Sequence, residues 1–381
     1  MRRLILVGGG HAHLEVLRRF AKRPAGGVEI VLLSPSTHHA YSSMVPGYIR
    51  KAHTAAELAF ELPPLAEAAG ARFIEAAATD VDGGARIVRT ASDTLEFDVC
   101  SLDVGAEPAG LELPGVAEYA CTVRPMGRAL QLRQRLDALI ARAHGSLAVC
   151  VVGGGVGGVE LACALAARLA GSAFGGEVHL AHAEAEILDG FEPGVRRLAR
   201  RLLAARGVQV RTGVRATQVH ADAVELVSGE RLPSVLTVWM AGPAPSGVIR
   251  RSSLPRSRDG LVLVDDTLRA TDGSPVWSAG DCVTLRSHPD TPKAGVHAVR
   301  EAPVLAHNLR VELTGEGTNR SYEPQARFLA ILDTADGRAL LRWRGLSIHS
   351  RPSRWLKEWI DRRFMRRHRP VRLTAPRSLT S

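Results

Sequence analysis

No stretch of this 381-residue chain is apolar for the roughly 20 residues a membrane-spanning helix needs. Its apolar start, Leu4 to Val7, is too short for the core of a secretory signal and runs straight into three glycines. The expectation is a cytoplasmic protein. The five cysteines, Cys100, Cys121, Cys150, Cys163 and Cys282, form neither a C-x-x-C nor a C-x-x-x-x-C pair. An odd number without a framework fits reduced, buried thiols and leaves no dithiol redox centre. Histidine gives no metal centre: His38 and His39 lack a third ligand at zinc-like spacing, and His11 and His13, two apart on a helix, face apart. Nucleic acid is not expected as a partner either. The net charge is +10, but between Arg342 and Arg372 eleven Arg/Lys face only Glu358 and Asp361, and this local excess of nine accounts for nearly all of it.

What is present begins at once. Leu4 to Val7 is a β-prone run that breaks into Gly8-Gly9-Gly10 and then, from His11, reads as a helix. After a buried parallel strand, Gly8 permits a tight turn and Gly10 lets backbone approach a phosphate held at the helix N-terminus. His13 stands where glycine or alanine usually allows close packing of helix on strand. Glycine-rich turns of this kind also occur in methyltransferases and plain α/β domains, so one turn alone leaves the ligand open.

The turn recurs. Leu147 to Val152 leads into Gly153-Gly154-Gly155-Val156-Gly157-Gly158, with all three glycine positions, 153, 155 and 158, filled. The flanks recur in the same order: second strands at Val28–Leu33 and Val178–Leu180, then later strands ending in Gly105 and Gly242. An internal duplication of a dinucleotide-binding unit follows. The fold class is α/β: two Rossmann-like dinucleotide-binding domains, the second inserted in the first, with a basic amphipathic C-terminal segment. The expected limits are 1–118 with 262–315, 119–261, and 316–381.

Along the chain, helices are expected from about His11 to Ala21, Met126 to Ala143 and Val159 to Leu169. An acid that would hold an adenosine ribose is missing from both second strands: Ser34 ends the first, and His182 the second. Preference between NADH and NADPH is therefore not readable. Residues 37–47, which include Pro46, read as a turn-rich loop that could pass over a flavin ring. Glu160 reads as a first-turn acid, either a simple helix-start residue or a group near a nicotinamide. Pro275 to Cys282 is a short strand ending in Gly280-Asp281, and Lys293-Ala294-Gly295-Val296 opens a helix. A strand-end carboxylate suits a ribityl hydroxyl, and a helix N-terminus suits the flavin N1–C2=O edge, where reduction places negative charge.

With these residues the chain resembles the two-domain flavoproteins of the pyridine nucleotide-disulfide oxidoreductase superfamily, in the type II NADH dehydrogenase-like branch. The marks are Gly8-Gly9-Gly10, Ser101-Leu102-Asp103-Val104-Gly105, Gly153 to Glu160, Ala279-Gly280-Asp281 and Lys293-Ala294-Gly295-Val296. Gly10-His11-Ala12-His13, Tyr41 to Gly47 and Phe364-Met365-Arg366-Arg367 are most similar to the flavoprotein domain found ahead of selenophosphate synthetase in fused chains. The resemblance implies FAD at the first turn and Asp281, NAD(P)H at the second turn and Glu160, and electrons passed to a quinone or other small acceptor. Lys293 and Glu160 are the candidate catalytic residues. Two glutamines that the branch carries beside the quinone are replaced by Val296 and Arg300. A flavin-holding redox sensor with negligible turnover, or a reductase of selenium or sulfur metabolism, remains the alternative.

The tail completes the expectation. Trp355, Leu356, Trp359, Ile360 and Phe364 share one face of a helix, with arginines around it. Such a helix suits an anionic membrane surface, which would make the protein peripheral on the inner face of the membrane, or else it packs on the core. On the membrane reading, a chain ending near Arg351 keeps its fold and FAD.

Overall fold

The computed structural model describes residues 1–369. Strand β1 (Arg2–Val7) enters α1 (His11–Lys22) through the first glycine turn, and β2 (Val28–Ser34) returns beside β1. Residues 37–47 depart from the loop expectation. A short strand at His38–Ala40 is followed by α2 (Val45–Ile49), where Pro46 at the helix start is pre-set for helical φ and Val45, Tyr48 and Ile49 are buried. After β3 (Ala71–Glu75) and β4 (Val99–Leu102) the chain leaves the first sheet and does not come back until β10.

The intervening second unit is β5 (Ala120–Cys121), α3 (Met126–Arg142), β6 (Leu147–Val152), α4 (Val156–Ala170), β7 (Gly176–His182), β8 (Val208–Thr212) and β9 (Leu236–Trp239). Strand β10 (Val276–Ser278) then completes the first sheet, and α5 (Gly295–Thr314) crosses back over it. The first sheet runs β10-β4-β1-β2-β3 and the second β5-β9-β6-β7-β8, all parallel. Four of the five strands correspond in order, β4-β1-β2-β3 in the first sheet and β9-β6-β7-β8 in the second. In each, the third strand is followed by a three-stranded antiparallel meander, at 78–96 and 216–233, which the sequence pattern did not reveal.

Parallel strands covered on both faces read as unbroken apolar runs. Leu4, Ile5, Leu6 and Val7, and Val149 to Val151, are accordingly fully or almost fully buried, each worth about 2 kcal/mol of apolar burial. Helix α1 packs Leu14, Leu17 and Phe20 into that core.

The chain ends in a hairpin sheet, β11 (Ala330–Asp333), β12 (Ala339–Trp343) and β13 (Leu346–Ser350), and a helix, α6 (Arg351–His368), started by Pro352 and capped by the Ser350 hydroxyl, which accepts from Ser353 N. Arg342 on β12 grips Glu192 of the second unit with hydrogen bonds of 2.8, 2.9 and 3.2 Å. The expected single apolar face of α6 divides. Trp355, Leu356 and Trp359 are exposed, whereas Phe364 turns inward and stacks on Tyr41. The buried face is mostly polar, with Ser353, Lys357, Asp361 and His368 beside Met365. The helix thus packs on the core and still displays tryptophans, so removing it at Arg351 would strip buried partners from both units. Arg372 and the rest of 370–381 lie outside the described residues.

Candidate functional site

Both glycine turns stand at the C-terminal edges of their sheets, where α/β folds place ligands. In the first, Gly8 has φ +92° and donates to Leu33 O, closing the turn against β2. A Cβ there would strike the Asp103 backbone, one at Gly9 would strike Leu62, and one at Gly10 would land on the Asp103 carboxylate. Gly10 caps α1. His13 fills the position that glycine would usually hold, and its ring spans back to Gly8 O (2.6 Å) and Ser101 Oγ (2.9 Å). His11 points the other way, toward His39 Nε2 at 3.2 Å, in an aromatic group with Tyr41 and Phe364. Burial holds both rings neutral, lowering His11 to about 3 and His13 to about 4.

The later elements meet this turn from the other side. Gly280, at φ +82°, donates to Glu301 Oε2 at 2.6 Å, and Asp281 pairs with Arg124 Nη1 at 2.7 Å. Lys293 is half-buried and donates to Val283 O at 2.6 Å, with its pKa lowered mainly by burial. Ala294 caps α5, so Gly295 and Val296 are its first two residues, as expected. Gly105, at φ +66°, follows β4. Ser34 ends β2 as expected, but its hydroxyl donates locally to Ser36 O at 2.9 Å. Pro46 lies buried inside α2 and is not on a loop.

The second turn is the more open. Gly153 has φ +119°, Gly158 is buried so tightly that a Cβ would strike Gly153 O, and Gly155 caps α4 with nothing within 4 Å of where its Cβ would be. Gly154 N donates to His182 Nδ1 at 3.0 Å, so the residue at the strand end is spent on the turn. Gly242 is exposed and accepts from Ala109 N.

Glu160 is corrected in place. Helix α4 starts at Val156, three residues before the expected Val159, so Glu160 lies beyond the first turn, buried at 6% exposure. Its Oε1 accepts from Asp333 N at 2.7 Å, and burial raises it to about 7 against the pull of Lys357. Lys357 in turn donates to Ser43 O (3.0 Å) and Asp361 (3.1 Å); burial opposes its charge, but Glu160 and Asp361 hold its pKa above the usual value. These partners come from four separate segments, and no local pattern joins them. On α1, Glu15 is buried among Arg18, Arg19, Arg367 and His368; burial would raise its carboxyl, but their hydrogen bonds pull it far below the usual range.

A cavity of about 410 Å³ opens between α1, α5 and α6, lined by His11, Arg300, Pro303, Tyr322, Phe364 and His368 among others. All five cysteines are free and buried, and burial pushes Cys150, Cys163 and Cys282 up to about 12, so none is a ready thiolate. Among the described residues no group of His, Cys, Asp and Glu is placed to hold a metal ion, and no helix is long and apolar enough to cross a membrane.

The donors fit dinucleotides. At the first turn two α1 backbone N–H groups already converge on one carboxylate oxygen, that of Asp103, which is how an anion is held at a helix N-terminus. At the second, the space around the α4 cap is clear.

The family model for pyridine nucleotide-disulphide oxidoreductases matches residues 2–302. An NADH dehydrogenase-like protein of Mycobacterium tuberculosis is 30% identical over 303 residues, covering 75% of this chain and 74% of its own. Demethylphylloquinone reductase NdbB of Synechocystis sp. is 26% identical over 343 residues, covering 86% and 84%. In fold the chain is similar to NDH2 of Plasmodium falciparum, solved in complex with NADH, with a TM-score of 0.82 at 14% identity over 96% of this chain and 97% of that one.

Proposed function

The chain belongs to the pyridine nucleotide-disulphide oxidoreductase family, and on that premise we propose that it is an FAD-dependent NAD(P)H dehydrogenase passing electrons to a quinone-type acceptor. The observation that carries this reading is the pair of parallel sheets, each with a glycine turn and a helix start at its C-terminal edge, since one chain then has one seat for each dinucleotide. The names of the relatives support it, one being NADH dehydrogenase-like and another a demethylphylloquinone reductase. FAD at the first turn would supply a two-electron carrier between NAD(P)H and the acceptor.

The protein's part is position and field. Gly8, Gly9, Gly10 and His11 form the first seat, with Gly105, Gly280 and Asp281 beside it. Gly153, Gly155, Gly158 and Gly242 form the second. Lys293 and the start of α5 at Gly295 and Val296 would hold the flavin's N1–C2=O edge and supply positive potential there. Lys293→Met is expected to lower the flavin midpoint potential in a spectroelectrochemical titration; an unchanged or raised value would make Lys293 only a brace on Val283. Glu160, which titrates near neutrality, can hold a proton between the second unit and the tail. The cavity beside Arg300 and Phe364 has the size for a ring-bearing acceptor.

The exposed tryptophans extend the reading to a membrane. Half of the exposed large apolar side chains among the described residues fall within 343–359: Trp343, Leu346, Ile348, Trp355, Leu356 and Trp359. With arginines around them, they suit an anionic bilayer, each cation near that surface adding about 1 kcal/mol. We place the protein as peripheral on the inner face of the membrane. The intact protein should sediment with anionic vesicles, less so as salt rises, and the pair Trp355→Ser and Trp359→Ser should weaken binding by roughly tenfold or more. Undiminished binding of that variant would remove the surface.

The finer likeness to the flavoprotein domain ahead of selenophosphate synthetase rests on its motifs, and a selenium- or sulfur-linked acceptor belongs to the same proposal. The second reading, a flavin-holding sensor, is favoured by Val296 and Arg300 in place of the two glutamines. Anaerobic spectra with NADH and NADPH, followed by steady-state oxidation with quinone, ferricyanide and oxygen, separate the two: fast bleaching with turnover supports the dehydrogenase, and bleaching without turnover the sensor.

A further inference from the structure

The two glycine turns differ in one respect that their shared pattern hides. At the second, the α4 cap faces open space; at the first, the helix start is already bonded. Asp103 Oδ2 accepts from Ala12 N at 2.7 Å and from His13 N at 3.0 Å. The carboxyl arrives from the end of β4 and is 4% exposed, and the turn is shaped around it. Gly10 has no room for a Cβ because of it, and a Cβ on Gly280 would come within 2.9 Å of Asp103 Oδ1. It lies in the seat that the proposed function gives to the FAD diphosphate.

We propose that Asp103 is the residue that couples cofactor loading to a proton: its carboxylate holds the α1 N-terminus in place of a ligand, and it becomes the neutral acid when the FAD diphosphate takes that position. The inference rests on FAD binding at the first turn. Two anions at one helix start repel strongly where water is excluded, and the group that can be neutralised is the carboxyl.

The surroundings leave Asp103 little other support. On α1, His11 and His13 are neutral. In the 280–282 turn, Asp281 is spent on Arg124 and the Cys282 thiol is protonated at neutral pH. Lys293, ahead of α5, donates to Val283 O, while Glu301 on α5 is itself raised to about 7 by burial. Burial likewise lifts Asp103 to about 7, with the His13 and Ala12 N–H groups opposing and Asp281 adding.

The sign follows. A diphosphate beside the carboxyl raises its pKa further, so the complex binds more protons than the free protein above about pH 7. FAD affinity is then level below that pH and falls above it. The histidines titrate well below this window. Glu301 titrates within it and is the group to separate.

The test uses the whole purified chain, dialysed against graded FAD from about pH 6 to pH 9, with bound flavin read from its visible absorbance. Wild-type affinity should fall by up to about tenfold per pH unit above pH 7, the slope for one proton. Asp103→Asn keeps an acceptor oxygen for Ala12 and His13 N–H, so it should fold. It should bind with less than about a threefold change over the range and exceed wild type by up to about a hundredfold at pH 9, whereas Glu301→Gln should keep the wild-type slope. A flat wild-type profile, or a slope that survives in Asp103→Asn, overturns the proposal while leaving FAD at the first turn. Failure of wild type and Asp103→Asn to take FAD at any pH overturns the FAD reading itself, and the proposal with it.

Discussion

Gly10→Val is expected to give a colourless protein. Gly10 caps α1 where backbone would meet the FAD diphosphate, and valine puts two methyl groups beyond a Cβ that already lands on Asp103. The loss of FAD affinity should be at least about a hundredfold, or about 2.7 kcal/mol. Because the clash is with a buried carboxyl, folding has to be checked by thermal unfolding. The double variant Gly10→Val with Asp103→Ala removes the internal collision and keeps the methyl groups in the cofactor's path. Stoichiometric flavin in either folded protein would move FAD away from the first turn.

Gly155→Val should keep its yellow colour and lose reduction by NADH. Gly155 has φ −71° and ψ −176°, extended backbone that valine accepts, and its Cβ would meet nothing within 4 Å. The chain should therefore fold as wild type, and its methyl groups would stand where a dinucleotide approaches the α4 start. Anaerobic stopped-flow bleaching should slow by at least about a hundredfold, equivalent to about 2.7 kcal/mol. An unchanged rate would make the second unit a structural duplicate. The contrast between these variants, one losing colour and the other only its response, also tests which dinucleotide each turn serves.

What the sequence disclosed was local. Gly8 and Gly153 announce the turns because only glycine sits easily at φ +92° and +119°, and the unbroken apolar runs before them announce buried parallel strands. The helix start at Gly295 was equally plain. Partnerships formed across the chain were hidden. Ala12 and Asp103 are 91 residues apart, and Glu160 bonds Asp333 across 173. Neither carboxyl differs in sequence from a surface acid. The tail misled for a related reason: helical spacing identifies an apolar stripe but not which side faces the core, and here Lys357, Asp361 and His368 go inward because Ser43 and Glu15 wait for them. The sequence of residues 37–47 suggests a loop because proline and glycine mark turns, yet Pro46 at a helix start with Tyr48 and Ile49 buried behind it is equally regular.

The grip of α6 on Glu15 has a consequence for synthesis. His368 and Glu15 are 353 residues apart, so a ribosome adding 5–20 residues per second completes the helix roughly 20–70 s after adding Glu15. During that interval Arg18 and Arg19, one turn away on the same helix, are the partners at hand to neutralise the acid. A nascent chain stalled before residue 351 would thus carry a formed first turn whose flank is still open to water and to chaperones.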